Sequence, residues 1–179
     1  LDVVNPPVLT INTDGEKISP YDSDIIVVDN INNVGERDGI LPGTFTDISN
    51  VVKNGKSLIM MAQDEIASID NKGVLPFEFS DVLDEQKVVR IDQPDNQFTS
   101  FLDLNRVGRY ASVKDSADAD IIASVADDNT TLMALRNHGE GSVFYYGVFD
   151  EASDFRSSPD YPIFWNELLR FLSESQDIE

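Results

Sequence analysis

Two short apolar runs, separated by a helix-sized segment, constrain the fold of this chain more than any other feature. The first run covers residues 24–29 (DIIVVD) and the second covers residues 57–62 (SLIMMA). Uninterrupted aliphatic runs of this length are typical of strands buried on both faces. Between them, residues 47–54 can form a helix capped at Thr46–Asp47, and Gly55 is placed to end it. This order predicts a βαβ unit with parallel strands and a right-handed crossover.

The rest of the chain predicts more strands and one closing helix. Residues 87–91 and 120–126 read as strands, with an irregular segment containing a helical turn between them, at 96–109. Residues 131–136 and 142–148 alternate around a glycine-containing loop and predict a β-hairpin. The closing helix is expected at residues 163–175, where apolar side chains form a wide stripe and Pro162 suits the first turn.

These elements predict a single α/β domain over residues 1–179, with an open, mostly parallel sheet flanked by helices. A C-terminal β-hairpin and a closing helix complete the expected fold. The chain begins at Leu1 rather than Met, so we expect a fragment of a longer protein. It contains no apolar run of about 18 residues, and no signal peptide begins at residue 1, so this segment is not expected to insert into a membrane.

Charge is the dominant feature of the composition, with 33 Asp and Glu against 13 Lys and Arg and a net charge of −20. The acids are scattered along the chain, which is typical of a solvated surface and argues against nucleic-acid binding. Two interpretations of the acidic surplus stay open. One is adaptation to high salt, as in a halophilic protein, and the other is a cation site. The absence of cysteine excludes disulfides, thiolate metal sites and a cysteine nucleophile.

Carboxylates that follow predicted strands are the candidate ligands for such a cation. Asp29, Asp64, Asp150 and Asp154 lie at or near the ends of strands, where ligands bind in open parallel sheets. Oxygen ligands suit calcium or magnesium, and these are the only cofactors that the sequence suggests. Alternatively, Asp154 and Ser153 cap a turn before the last helix, and Phe155 docks into the core.

His138 is the only histidine of the chain. Its position beside Gly139 and Glu140 in the predicted hairpin loop is typical of a solvated turn residue. A single histidine leaves almost all ligands of a zinc site to carboxylates, so a zinc site is not expected.

The C-terminal segment at residues 139–172, GEGSVFYYGVFDEASDFRSSPDYPIFWNELLRFL, resembles the end of a known domain type. It is similar to the class I glutamine-amidotransferase-like domains attached to von Willebrand factor A proteins, including the Bat-type aerotolerance relatives. Residues 23–30 and 48–63 resemble the front half of that domain. The matching motif positions are a set of turn and helix-start residues: Gly139, Gly141, Ser153, Asp154, Tyr161 and Pro162. The resemblance implies a flavodoxin-like fold.

The same resemblance implies the absence of catalysis. Class I amidotransferases carry a nucleophilic Cys on the turn after the strand that corresponds to residues 57–62, together with a His–Glu pair. This chain has Met61-Ala62-Gln63-Asp64 at that turn. We therefore expect a non-catalytic accessory domain whose partner is another protein or a neighbouring von Willebrand A domain. The parent protein is expected to carry any membrane anchor, and the compartment is left open. The alternative is a cation-dependent binding or degenerate hydrolase site at the strand ends.

Overall fold

The computed structural model describes residues 10–11, 17–18, 20–29, 43–64, 66–75, 77–114 and 118–174. Within these ranges the chain forms an α/β fold in which one large sheet lies between two helices, α1 (Thr44–Lys53) and α2 (Tyr161–Glu174). The strands, in chain order, are β1 (Thr10–Ile11), β2 (Lys17–Ile18), β3 (Ile25–Val28), β4 (Ser57–Met61), β5 (Glu78–Leu83), β6 (Lys87–Ile91), β7 (Arg106–Val107), β8 (Tyr110–Lys114), β9 (Asp120–Val125), β10 (Thr131–His138) and β11 (Gly141–Tyr146).

Seven strands form the large sheet in the order β3-β4-β11-β10-β9-β6-β7. Its parallel part is confined to β3, β4 and β11. The other four neighbouring pairs are antiparallel, so the sheet is mixed and not mostly parallel as the sequence predicts. Short connections explain two of these pairs, β9-β10 and β10-β11, because links of five and two residues can join antiparallel neighbours but cannot cross over to a parallel one. Two-stranded ribbons, β1-β2 and β5-β8, stand outside the large sheet.

The predicted strand–helix–glycine–strand unit is present as β3, α1 and β4, with the two strands parallel. Gly55 has the positive φ of 103° expected of a residue that ends a helix. The predicted start of the helix is wrong, because α1 begins at Thr44 and its N-cap is Gly43. Asp47 lies in the first turn instead, where its negative charge complements the helix dipole.

Two apolar clusters fill the two faces of the sheet, since successive strand residues point to opposite sides. Leu58 and Met60 of β4 pack on the α1 side, with the buried α1 residues Phe45, Ile48 and Val52. On the other side, the predicted buried stripe of α2 is confirmed for Phe164, Leu168 and Leu172, which are fully buried in one cluster with Ile59, Phe144 and Tyr146. The prediction is wrong for Leu169, which is 40% exposed.

The predicted C-terminal hairpin is confirmed as β10 and β11, which are joined at Gly139-Glu140. Both glycines of the resemblance motif lie against the end of α1. A Cβ at Gly141 would be 2.0 Å from the carbonyl oxygen of Lys56 and 2.3 Å from that of Val52. At Gly139, where φ is 71°, a Cβ would be 2.6 Å from the Cα of Lys53. These glycines therefore allow the hairpin backbone to contact the backbone of the α1 terminus and the residues that follow it.

Candidate functional site

The parallel strands β3, β4 and β11 end at the same side of the sheet, which we call the carboxyl edge. Three of the predicted site residues follow these strands: Asp29 directly after β3, Asp64 three residues after the end of β4, and Asp150 four residues after the end of β11. The strand register supports their common location, because Val28 pairs with Met60 and Tyr146 pairs with Met61. Asp29 and Asp64 are exposed, and Asp150 is half-buried.

Asp150 accepts hydrogen bonds from two tyrosines. The Tyr146 hydroxyl donates to Oδ1 of Asp150 over 2.6 Å, and the Tyr161 hydroxyl donates to Oδ2. Tyr146 is fully buried, and the indole of Trp165 packs against both phenol rings at centroid distances of 5.1 and 6.1 Å. Asp150 thus links the end of β11 to the first turn of α2. This gives the Tyr161 position of the motif a structural role.

Burial and the Asp150 carboxylate both raise the pKa values of these tyrosines, because each disfavours a phenolate. Burial is the larger cause in both residues. The pKa of Tyr161 rises to about 12, and the pKa of the more deeply buried Tyr146 rises further still. Both hydroxyls therefore remain protonated donors at neutral pH.

The folding stability is expected to fall at alkaline pH, because ionisation of these tyrosines is less favourable in the folded state than in the unfolded state. Since the folded-state pKa values lie above the unfolded value of 10.0, the stability they contribute is fully present below pH 10. It is lost as the pH rises through the folded pKa, which for Tyr161 is about 12. Urea unfolding at a series of alkaline pH values should show this fall, and Tyr161→Phe should make it shallower. An equally steep fall in the variant would contradict the account.

Asp64 is held by Arg109, a residue that sequence reasoning did not single out. The Arg109 guanidinium pairs with Asp64 and, over 3.2 Å, with Asp84. It also lies over the ring of Phe149, at 4.6 Å from the ring centroid. Arg109 therefore connects the turn after β4 to the turn after β11, and Asp64 serves as its counter-ion.

Asp154 has a different protein partner from the one that the capping interpretation predicts. Its Oδ1 accepts hydrogen bonds from the backbone N–H groups of Asn105 and Arg106, with N···O distances of 3.3 and 3.4 Å. It forms no side-chain cap on its own turn. The predicted docking of Phe155 is confirmed, since this residue is fully buried. Asp154 and the bridge between Ser153 and Val107 fasten the turn after β11 to the start of β7.

The described residues contain no group of three or more His, Cys, Asp or Glu side chains that could hold a metal ion. The carboxylates of Asp64, Asp150 and Asp154 instead accept hydrogen bonds, each from different donors of the protein. The described residues therefore do not fit a calcium or magnesium centre. The cation interpretation from the sequence is left to a direct binding measurement.

Gln63 occupies the turn at which the resemblance implies a nucleophile. Its side chain is 4% exposed, and its amide donates to the Met61 carbonyl oxygen over 3.4 Å. A primary amide is not a nucleophile at neutral pH, and burial removes it from any substrate. The turn after β4 is thus closed by a structural side chain.

His138 is not the solvated turn residue that the sequence predicts. It is the last residue of β10, pairs with Gly141 and is half-buried. Its Nε2 lies 3.0 Å from the Oγ of Ser49 in α1. Ser49 and His138 are 89 residues apart in sequence, and nothing in the local pattern of either residue signals the contact.

Comparison with solved structures shows the fold. Two cytoplasmic proteins of Salmonella typhimurium each superpose on 85% of this chain. STM3548 has 19% sequence identity and a TM-score of 0.66, and the match covers 72% of its own length. STM1381, from strain LT2, has 15% identity and a TM-score of 0.65, and the match covers 73% of its length. A β-galactosidase from Rahnella sp. R3 matches 82% of this chain at 14% identity and a TM-score of 0.58, over 23% of its own length. At these identities the likeness shows the α/β fold alone.

No curated protein sequence matches the chain significantly. In the described part of the chain, no helix is both long enough and apolar enough to cross a membrane. The amidotransferase and von Willebrand A resemblance is not tested by these comparisons and stays a prediction. The family model described as "Domain of unknown function (DUF7408)" matches residues 1–168. The chain therefore belongs to the DUF7408 family.

Proposed function

We propose that this chain is a non-catalytic interaction domain that docks onto a neighbouring domain of von Willebrand A type in a longer protein. The observation that carries the proposal is the state of the carboxyl edge. There Gln63 is buried, and Asp64 and Asp150 are held by Arg109 and by two tyrosines. Asp64 and Asp150 are thereby engaged with donors of the protein itself, which supports a structural role for them over that of a general base.

Exposed apolar side chains on the α2 side of the sheet supply a surface for docking. Val27 of β3 is 56% exposed and Leu169 of α2 is 40% exposed. Val27 shares a strand face with Ile25, which packs into the α2-side core. Leu172 lies three residues after Leu169, and its carbonyl oxygen accepts a hydrogen bond from the Ser57 hydroxyl. Ser57 pairs with Ile25 in the sheet. This end of α2 therefore lies beside β3, and we call Val27 and Leu169 the β3–α2 patch.

Charge specifies the kind of surface that fits this patch. With a net charge of −20, the chain repels a second copy of itself and any other acidic protein at low salt. A partner that covers Val27 and Leu169 is expected to be apolar at the centre of its contact surface and basic at the rim. The neighbouring domain is therefore proposed to present a contact surface with an apolar centre and a basic rim. We also propose that the fold is flavodoxin-like and related to that of the glutamine amidotransferases, as the C-terminal motif suggests.

Leu169→Glu is expected to break the contact between this domain and its neighbour, because it places a charge in an apolar interface. Ile163→Glu is the matched control: Ile163 is 41% exposed on the same helix, but about 120° away around its axis. Hydrogen exchange of β3 and α2 should be slower in the full-length natural protein than in the 179-residue chain. Leu169→Glu should abolish that protection and Ile163→Glu should keep it. Equal exchange in the two proteins would contradict the proposal.

A further inference from the structure

His138 lies in a group of basic side chains at the edge of the sheet where the parallel strands begin, opposite the carboxyl edge. Arg136 and His138 are two residues apart on β10 and therefore point to the same face, the one that α1 covers. Ser49 and Lys53 are four residues apart on α1 and share one side of that helix. We call Ser49, Lys53, Arg136 and His138 the His138 cluster.

Hydrogen bonds fix the imidazole of His138 and the guanidinium of Arg136 in the cluster. Ser49 is 5% exposed, and its Oγ lies 3.0 Å from Nε2 of His138. Arg136 is anchored by a hydrogen bond of 3.1 Å from its guanidinium to the Gly73 carbonyl oxygen. Burial lowers the pKa of His138, and the positive charges of Arg136 and Lys53 lower it further. The geometry places both cations near the ring: Arg136 lies two residues away on the same strand face, and a Cβ at Gly139, the residue after His138, would be 2.6 Å from the Cα of Lys53.

Among the described residues these two cations have no carboxylate partner, although the chain is rich in acids. In the part of the chain that the structure describes, neither Lys53 nor Arg136 forms an ion pair, whereas most other cations do. The cations paired within the described residues are Lys56, Lys72, Lys87, Arg90, Arg109 and Arg170. The turn beside the cluster carries one carboxylate, Glu140, whose backbone N–H donates to the Lys53 carbonyl oxygen over 3.1 Å. Counted with Lys53 and Arg136, it leaves a net positive charge beside the only histidine of the chain.

We propose that the His138 cluster is a binding site for a phosphate-type oxyanion. Arg136 offers planar N–H donors, Lys53 offers an ammonium, and the imidazole becomes a further donor when it is protonated. A dianion placed among them neutralises charges that otherwise repel one another. The site is independent of the β3–α2 patch and of the carboxyl edge.

The test is a titration of the protein with inorganic phosphate, followed by NMR of the His138 ring. Because His138 is the only histidine, its ring signals need no assignment. Chloride keeps the ionic strength constant, so that screening does not change during the titration. We expect a saturable shift of the ring signals and a rise in the His138 pKa of about one unit at saturation.

The double variant Lys53→Met, Arg136→Met should weaken phosphate binding at least tenfold. The matched control, Arg156→Met, removes an exposed cation from the turn after β11 and should leave binding unchanged. The altered side chains are at least partly exposed, so all variants are expected to fold, and their thermal melts check this. A shift that rises linearly with phosphate, or one of equal size in the double variant, would overturn the proposal.

Discussion

Gly141→Ala is expected to destabilise the domain by about 3 kcal/mol, since overpacking of a rigid contact costs this much when neither side can move. The added methyl would lie 2.0 Å from one carbonyl oxygen and 2.3 Å from another, both of them backbone atoms. Relief requires separation of β11 from the end of α1, which also disturbs the pairing of β11 with β4. Urea unfolding followed by circular dichroism measures the loss.

Gly55→Ala is the matched control for this substitution. Gly55 has a φ of 103°, but a Cβ there would meet no atom within 4 Å. Its replacement should therefore cost only the strain of a left-handed residue, about 1–2 kcal/mol. An effect of Gly141→Ala no larger than that of Gly55→Ala would show that the close contact between hairpin and helix is wrong.

Asp150→Ala is the second substitution with a large expected effect, again about 3 kcal/mol, from two lost hydrogen bonds to a charged acceptor. The Tyr146 hydroxyl would be left buried without its acceptor, and α2 would lose its link to β11. The change in unfolding free energy and the near-ultraviolet circular dichroism of the tyrosine and tryptophan cluster both report it.

Two further variants separate this role from a general effect of charge. Glu151→Ala removes an exposed carboxylate of the same turn and should change the stability by less than about 0.5 kcal/mol. Tyr161→Phe removes one of the two donors and should cost less than Asp150→Ala. In the double variant Asp150→Ala, Tyr161→Phe, the two losses should not add, because each removes the same bond. Additive losses would mean that Tyr161 and Asp150 do not interact.

The βαβ unit and the closing helix were predictable from sequence because their signals are local. Apolar runs, the glycine after α1 and the stripe of α2 each lie within about fifteen residues. The antiparallel half of the sheet could not be read in the same way. The pairing of β6 with β9, for instance, joins Val89 to Val125, and no pattern in either strand specifies its neighbour.

The candidate site was predictable in position but not in chemistry. Strand ends correctly locate Asp29, Asp64 and Asp150 at one edge of the sheet. The partners of Asp64 and Asp150 come from other segments: Arg109 precedes β8, and Tyr161 begins α2. Such long-range partners decide whether a carboxylate is free to bind a ligand, and the sequence does not carry that information.

The central claim is that the carboxylates of the carboxyl edge hold the fold together and do not bind a ligand. Calorimetric titration of the protein with calcium and magnesium, at moderate and at high salt, tests it most directly. We predict no saturable heat with either cation and thermal melts that respond only to bulk salt. A site of micromolar affinity that is lost in Asp154→Asn or Asp64→Asn would contradict the claim and would establish a cation site at this edge.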